Sequence, residues 1–211
     1  LGGAAAVRRS GGEALDWPQP PSAVRLSHAE KLRIQAFEAA LPSVVHIEGE
    51  VDGPLGRGPG AGAGGGTGWI YDAEGHVVTS LGAVDATRHG SLQVRFADHT
   101  VAPARVVGVD RASDLAVVEV RQDLRKQPAA TRGPLRPRPM RRAPSAPLRV
   151  GQEVLVVGNP FGLDHTLSRG VISSLGRTVL LGGGRAVHGA IETDARIHEG
   201  NGGGPLLDLR G

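Results

Sequence analysis

Beyond Pro42, apolar residues recur at every second position in short bursts, and each burst is closed by Gly, Pro, Asn or Asp. That period places alternate side chains on one face of an extended chain, so it demands half-buried strands rather than helices. Val45 and Ile47 share a face, and Leu92, Val94 and Phe96 alternate cleanly. Trp69–Tyr71 and His76–Thr79 flank an Asp-Ala-Glu-Gly turn at Asp72–Gly75. Further strands are predicted at Ser43–Glu50, Val101–Val107, Leu115–Val120, Glu153–Val157, Gly170–Ser174, Ala190–Thr193 and Pro205–Leu209. Short strands at this spacing, joined by glycine-rich turns, indicate an all-β fold of barrels or sandwiches. One helix precedes them. Ser27 followed by Glu30 is a capping-box pattern, Ile34, Phe37 and Leu41 fall on one face, and Pro42 ends the helix.

The chain of 211 residues divides into four stretches. Residues 1–26 are rich in Gly, Ala and Pro and are expected to be disordered; they lack the apolar core of a signal peptide. Residues 27–122 hold the helix and a first β-barrel, 123–148 a Pro/Arg-rich inserted loop, and 149–211 a second β-barrel. The first residue is Leu, so an N-terminal piece is expected to be missing.

Composition excludes several chemistries. With no cysteine, thiolate zinc sites, iron–sulfur clusters and thiol nucleophiles are ruled out. No apolar run of about 18 residues occurs, so no membrane-spanning helix is expected. The formal charge is +3, from 24 bases and 21 acids. Eight of those bases and no acid lie between Arg125 and Arg149, so one loop makes an otherwise acidic chain basic. Its six prolines keep that loop extended, and aromatics are only 3% of the chain, so a solvated insertion is favoured over a nucleic-acid site. Docking of the loop to an acidic protein surface or anionic lipid ranks between those two readings.

Two further signals have bland readings. Gly60, Gly62 and Gly65 match G-x-G-x-x-G within Gly56–Gly68, but no Gly-Lys-Ser/Thr follows and no strong helix comes next, so a flexible surface loop is expected. The eight histidines are scattered with no H-E-x-x-H, which points to surface or hydrogen-bonding roles, with no metal and no cofactor.

Four segments carry chemistry: Val77-Val78-Thr79-Ser80-Leu81-Gly82-Ala83-Val84; Arg111-Ala112-Ser113-Asp114-Leu115-Ala116-Val117; Val156-Val157-Gly158-Asn159-Pro160-Phe161-Gly162-Leu163-Asp164-His165-Thr166-Leu167; and Glu192-Thr193-Asp194-Ala195-Arg196-Ile197-His198-Glu199-Gly200-Asn201-Gly202-Gly203-Gly204-Pro205-Leu206-Leu207-Asp208. In this order, after a helix and Pro42-Ser43-Val44-Val45, the pattern resembles the HtrA/Deg family of trypsin-like serine proteases, closest to its plant and cyanobacterial chloroplast branch. The resemblance covers about residues 27–211, with the Arg-rich loop as an insertion. It implies a trypsin-like double β-barrel, proteolysis in protein quality control, and unfolded or damaged polypeptides as substrates. It also implies trimeric or larger assembly, active Deg subunits as partners, and a chloroplast location, with the thylakoid lumen as the finer address.

Serine proteolysis needs an alcohol nucleophile, an imidazole base, an orienting carboxylate and backbone N–H groups facing the oxyanion. By the resemblance the acid falls on Asp114, which matches. The family histidine falls on Gly82 and the family serine on Gly202. The oxyanion-hole backbone falls on Gly200, Asn201 and Gly202, a loop that glycine at 202 is expected to make less rigid. Ser80 is given no role, and Asp164 and His165 are expected to hold their loop rather than react. Loss of the serine or histidine alone costs about 10⁶-fold in turnover in a related mechanism, roughly 8 kcal/mol of barrier. An inactive homologue that binds peptides or regulates active subunits is therefore expected, and a damaged or partial copy of a serine endopeptidase is the alternative. Family members continue past the position of Gly211 with further strands, a helix and often a PDZ domain. The second barrel is therefore expected to be incomplete, with an exposed sheet edge and no PDZ domain.

Overall fold

The computed structural model describes residues 25–49, 65–85, 92–121, 137–143, 147–160, 162, 164–181 and 184–211. The N-terminal stretch, most of Gly56–Gly68 and most of the Arg-rich loop lie outside these residues. Helix α1 spans His28–Ala40. Ser27 caps it as expected: its Oγ accepts from the Glu30 N–H at 3.3 Å, and the Glu30 carboxylate accepts from the Ser27 N–H at 2.7 Å. The hydrogen bonds from Ser27 hold the Glu30 carboxyl below its ordinary range. The packed face differs from the expected one. Ala36 and Ala40 are buried and Phe37 is half-buried, while Ile34 is 39% exposed. Small side chains let the helix approach the β-structure closely, which turns Ile34 outward. Leu41–Ser43 form a single 3-10 turn at Pro42, and the chain becomes extended at once.

Six strands close the first barrel: β1 Val44–Gly49, β2 Gly65–Ile70, β3 His76–Ser80, β4 Leu92–Arg95, β5 Val101–Asp110 and β6 Leu115–Val120. They pair antiparallel in the order β1-β2-β3-β6-β5-β4, with a short helix α2, Leu81–Asp85, after β3. Alternation fills the interior, with Val45, Ile47, Val77, Val94 and Val118 wholly buried. Each such side chain stabilises by about 1.5–3 kcal/mol on leaving water. The Asp72–Gly75 turn is present, with the His76 N–H donating to Asp72 Oδ1 at 3.0 Å. The expectation of a flexible loop through Gly68 is corrected: Gly65–Gly68 form the first part of β2, and Gly66 to Gly68 are buried. Glycine is needed there for close approach. A Cβ on Gly66 would stand 2.7 Å from the Ala83 Cβ, and one on Gly68 2.7 Å from Val77 Cγ1.

The second sheet contains β7 Glu153–Gly158, β8 Thr166–Leu181, β9 Arg185–Thr193 and β10 Leu206–Leu207, in the order β10-β7-β8-β9. Counted from β7, that order is 4-1-2-3, the order of the first barrel without its fifth and sixth strands. Among the described residues, β9 and β10 are therefore edges of a half-barrel. The architecture is a trypsin-like pair of barrels, the second open, after one helix. β7 explains its own unbroken apolar run. Val154 and Val156 pack within the half-barrel, while Leu155 and Val157 pack with Ala36, Ala40, Val44 and Leu207 in the seam between the two units. Arg33 adds an ion pair to Glu153 at 3.1 Å. Met140 corrects the picture of a wholly solvated insertion: it is 8% exposed in the same seam, and its N–H donates to Ile70 O at 2.8 Å.

Candidate active site

The candidate site forms where β3 runs into α2, β6 begins and the glycine loop before β10 returns. Asp114, the matching acid position, precedes β6 with φ 57°, and its carbonyl accepts from the Leu81 N–H at 2.9 Å. That bond anchors the start of α2 beside the acid, one residue before Gly82. Ser80 caps α2: its Oγ accepts from the Ala83 N–H at 3.2 Å. It also lies 3.7 Å from where a Cβ on Gly202 would stand. The structure thus brings the Gly82, Asp114 and Gly202 segments together, and Ser80 acquires the role that sequence reasoning withheld.

The glycines of the site are of two kinds. Gly200 and Gly203 have φ +85° and +86°, a conformation that favours glycine. A Cβ on Gly200 would meet Pro160 Cβ at 2.6 Å, and one on Gly203 the Ser80 N at 2.6 Å. Gly82 and Gly202 lie outside that left-handed region. Among the described residues, a Cβ on Gly82 has nothing within 4 Å, and one on Gly202 meets only the Ser80 hydroxyl. Both residues are exposed. Backbone and space at these two positions accept a side chain that the sequence does not supply.

Thr67, on β2, holds the glycine loop in place. Its N–H donates to Gly202 O at 3.0 Å and its hydroxyl donates to Gly200 O at 2.8 Å. The same hydroxyl accepts from the Asn159 N–H at 2.8 Å, and the Thr67 carbonyl accepts from Thr79 Oγ1 at 2.7 Å. Within the loop, the Asn201 N–H donates to His198 O and the Gly204 N–H to Asn201 O, each at 3.0 Å. These bonds tie the loop to β2 at both Gly200 and Gly202. Sequence reasoning missed Thr67. Its only signal was a lone β-branched hydroxyl residue inside a glycine run.

Histidines complete the seam. His46 is 7% exposed, and its Nδ1–H donates to Asn159 O at 2.9 Å. Burial pushes the His46 imidazole below its ordinary range, against the opposing pull of Glu48. His165 donates from Nε2 to Val44 O at 3.1 Å, so it ties its loop to β1, while Asp164 is exposed. Asn159 Oδ1 and Asn201 Nδ2 are buried with no partner among the described residues. No group of three or more His, Cys, Asp or Glu that could hold a metal occurs among the described residues, and no helix there is long and apolar enough to cross a membrane.

A closed antiparallel barrel and a half-barrel meeting at a tethered glycine loop define a class, the trypsin-like two-barrel scaffold. The chain belongs to the trypsin-like peptidase domain family, which matches residues 66–211, and it is homologous to the Deg/HtrA proteases. It is 39% identical over 199 residues to Protease Do-like 1, chloroplastic, and 35% identical over 197 residues to Protease Do-like 8, chloroplastic, both of Arabidopsis thaliana. These matches cover 89% and 84% of the chain but only 41% and 38% of the relatives, so the chain spans about two fifths of their length. The crystal structure of Deg5 superimposes with a TM-score of 0.68 at 32% identity, covering 87% of this chain and 82% of that one.

Proposed function

We propose that this chain is a Deg/HtrA-type homologue that lacks the catalytic imidazole and hydroxyl and serves as a non-catalytic, peptide-binding or regulatory subunit. The observation that carries this reading is the contrast between glycines. Gly200 and Gly203 are required by backbone and packing, whereas Gly82 and Gly202 occupy places where a side chain fits. The supporting parts of a serine-protease site are retained around two absent reactive groups. Without them the barrier rises by roughly 8 kcal/mol, which leaves no useful peptide hydrolysis. Asp114 is then a residue of the turn into β6, where its carbonyl holds the start of α2.

Unfolded polypeptides are the proposed ligands, and active Deg subunits in a homo- or hetero-trimer are the proposed assembly. The names of the similar plant proteins support a chloroplast location, and the thylakoid lumen is the finer proposal. A fluorophosphonate reagent tests the reading directly. The chain should remain unlabelled and leave casein intact, whereas Gly82→His with Gly202→Ser should acquire both activities. Labelling or casein cleavage by the unaltered chain would overturn the proposal in favour of a serine endopeptidase.

A further inference from the structure

We infer that Asn201 is a site of spontaneous covalent modification, at which its side-chain amide is lost through ring closure with Gly202. The chain has two asparagines, and only one can react in this way. Asn159 precedes Pro160, whose nitrogen carries no hydrogen and cannot close the ring. Asn201 precedes Gly202, which has no side chain to hinder the approach of its own nitrogen. The glycine at the position of the family serine is thus also what makes this side chain chemically labile.

The structure prepares the three groups that take part. The nucleophile is the Gly202 nitrogen. Gly202 is exposed and its N–H has no partner among the described residues, so solvent hydroxide can reach the proton that must be removed. The leaving group is Asn201 Nδ2, which is buried with no partner to retain it. The electrophile is Asn201 Cγ. Its oxygen, Oδ1, accepts from the Thr166 hydroxyl at 3.3 Å, a proton shared with Gly158 O at 3.5 Å. That donor faces the oxygen on which negative charge develops as the nitrogen attacks. The loop's tethers use other atoms: the carbonyls of Gly200, Asn201 and Gly202 and the amides of Asn201 and Gly204.

In the reaction the Gly202 nitrogen bonds to Asn201 Cγ and gives up its proton. The Cγ–Nδ2 bond breaks, and Nδ2 leaves with that proton as ammonia. Water then opens the resulting succinimide at either carbonyl. One opening gives aspartate at 201. The other gives isoaspartate, in which the main chain runs through the former side chain and is one carbon longer. Either product disturbs the loop. Asn201 is 2% exposed and its amide lies against Gly158, where a Cβ would collide with it. A carboxylate in that place is a buried charge, which is costly without a paired cation. Isoaspartate lengthens the chain between Gly200 and Gly202, the two residues whose carbonyls Thr67 holds, so both bonds cannot keep their geometry.

The test incubates the full 211-residue chain at neutral and at mildly alkaline pH. The tryptic peptide Ile197–Arg210 is then read by mass spectrometry, and isoaspartate is detected with protein isoaspartyl methyltransferase and labelled S-adenosylmethionine. A synthetic peptide of the same sequence is the unfolded reference. Asn201 should convert in the folded chain within about tenfold of the peptide's rate, and faster at the higher pH, while Asn159 stays intact. Gly202→Ser and Thr166→Val should each slow the conversion by about fivefold. Conversion of the peptide with the folded chain left intact overturns the inference, because the tethers then lock the loop against ring closure. Amide loss from Asn159 at the same rate, or a Gly202→Ser chain that converts as fast as the wild type, overturns it as well. A Thr166→Val chain that converts as fast as the wild type overturns the part given to that hydroxyl.

Discussion

Thr67→Val removes one oxygen from the centre of the molecule and keeps its shape. Thr67 is fully buried, and its hydroxyl joins three segments: its own strand β2, Asn159 after β7, and Gly200 in the glycine loop. Valine leaves the Asn159 N–H and the Gly200 carbonyl unpaired. A buried group stripped of its partner costs about 1–3 kcal/mol. Asn159 is 2% exposed and bears the full penalty, whereas Gly200 is half-buried and regains part of its loss from water. The expected destabilisation is about 3 kcal/mol. For a chain of this size that lowers the melting temperature by about 6–12 °C. The assay is urea unfolding of the wild type, Thr67→Val and Thr67→Ser, followed by tryptophan fluorescence, since Trp69 is two residues away on the same strand. Thr67→Ser keeps both bonds and should lose only about 1 kcal/mol for the methyl group. A Thr67→Val loss below about 1 kcal/mol, or one equal to that of Thr67→Ser, would refute the reasoning that this hydroxyl clamps the loop to both units.

Three other outcomes are expected. Gly203→Ala should be strongly destabilising, because of its φ of +86° and the Ser80 N in the way of a Cβ, whereas Gly82→Ala in the open first turn of α2 should be neutral or gain up to about 1 kcal/mol; thermal unfolding of the pair decides. Burial depresses the His46 pKa, so the folded state resists the proton that the unfolded chain takes up near pH 6.5; stability should be complete above that pH and fall as pH drops through the depressed folded value. His46→Gln should flatten this part of the curve of unfolding free energy against pH. Met140→Ala should cost about 2–5 kcal/mol and speed tryptic cutting at the neighbouring Arg141 and Arg142, both exposed, as the strap leaves the seam.

The alternation along β3, β4 and β6 and the capping box at Ser27 were legible because each depends on neighbours in the chain. Strand period and helix capping are local physics, whereas Gly82, Asp114 and Gly202 are singled out by the family resemblance of the segments that hold them. The tertiary structure was needed to show that Gly65–Gly68 form a buried strand. Glycine's bias toward turns is a single-chain preference, and it yielded to the close approach of Ala83 and Val77. Ile34 was misplaced for a similar reason: helical spacing defines a stripe, but the width of the gap to β7 selects Ala36 and Ala40 to fill it.

The sequence by itself determined that this is a two-barrel β-protein with an acid at 114 and glycine at 82 and 202, because composition and period decide which groups exist and which way a strand faces. Only the tertiary structure decided which glycines are obligatory, that Thr67 and Ser80 border the candidate site, and that β10 pairs with β7 in the second sheet. Those properties depend on distances between residues far apart in the chain, and no local pattern encodes them.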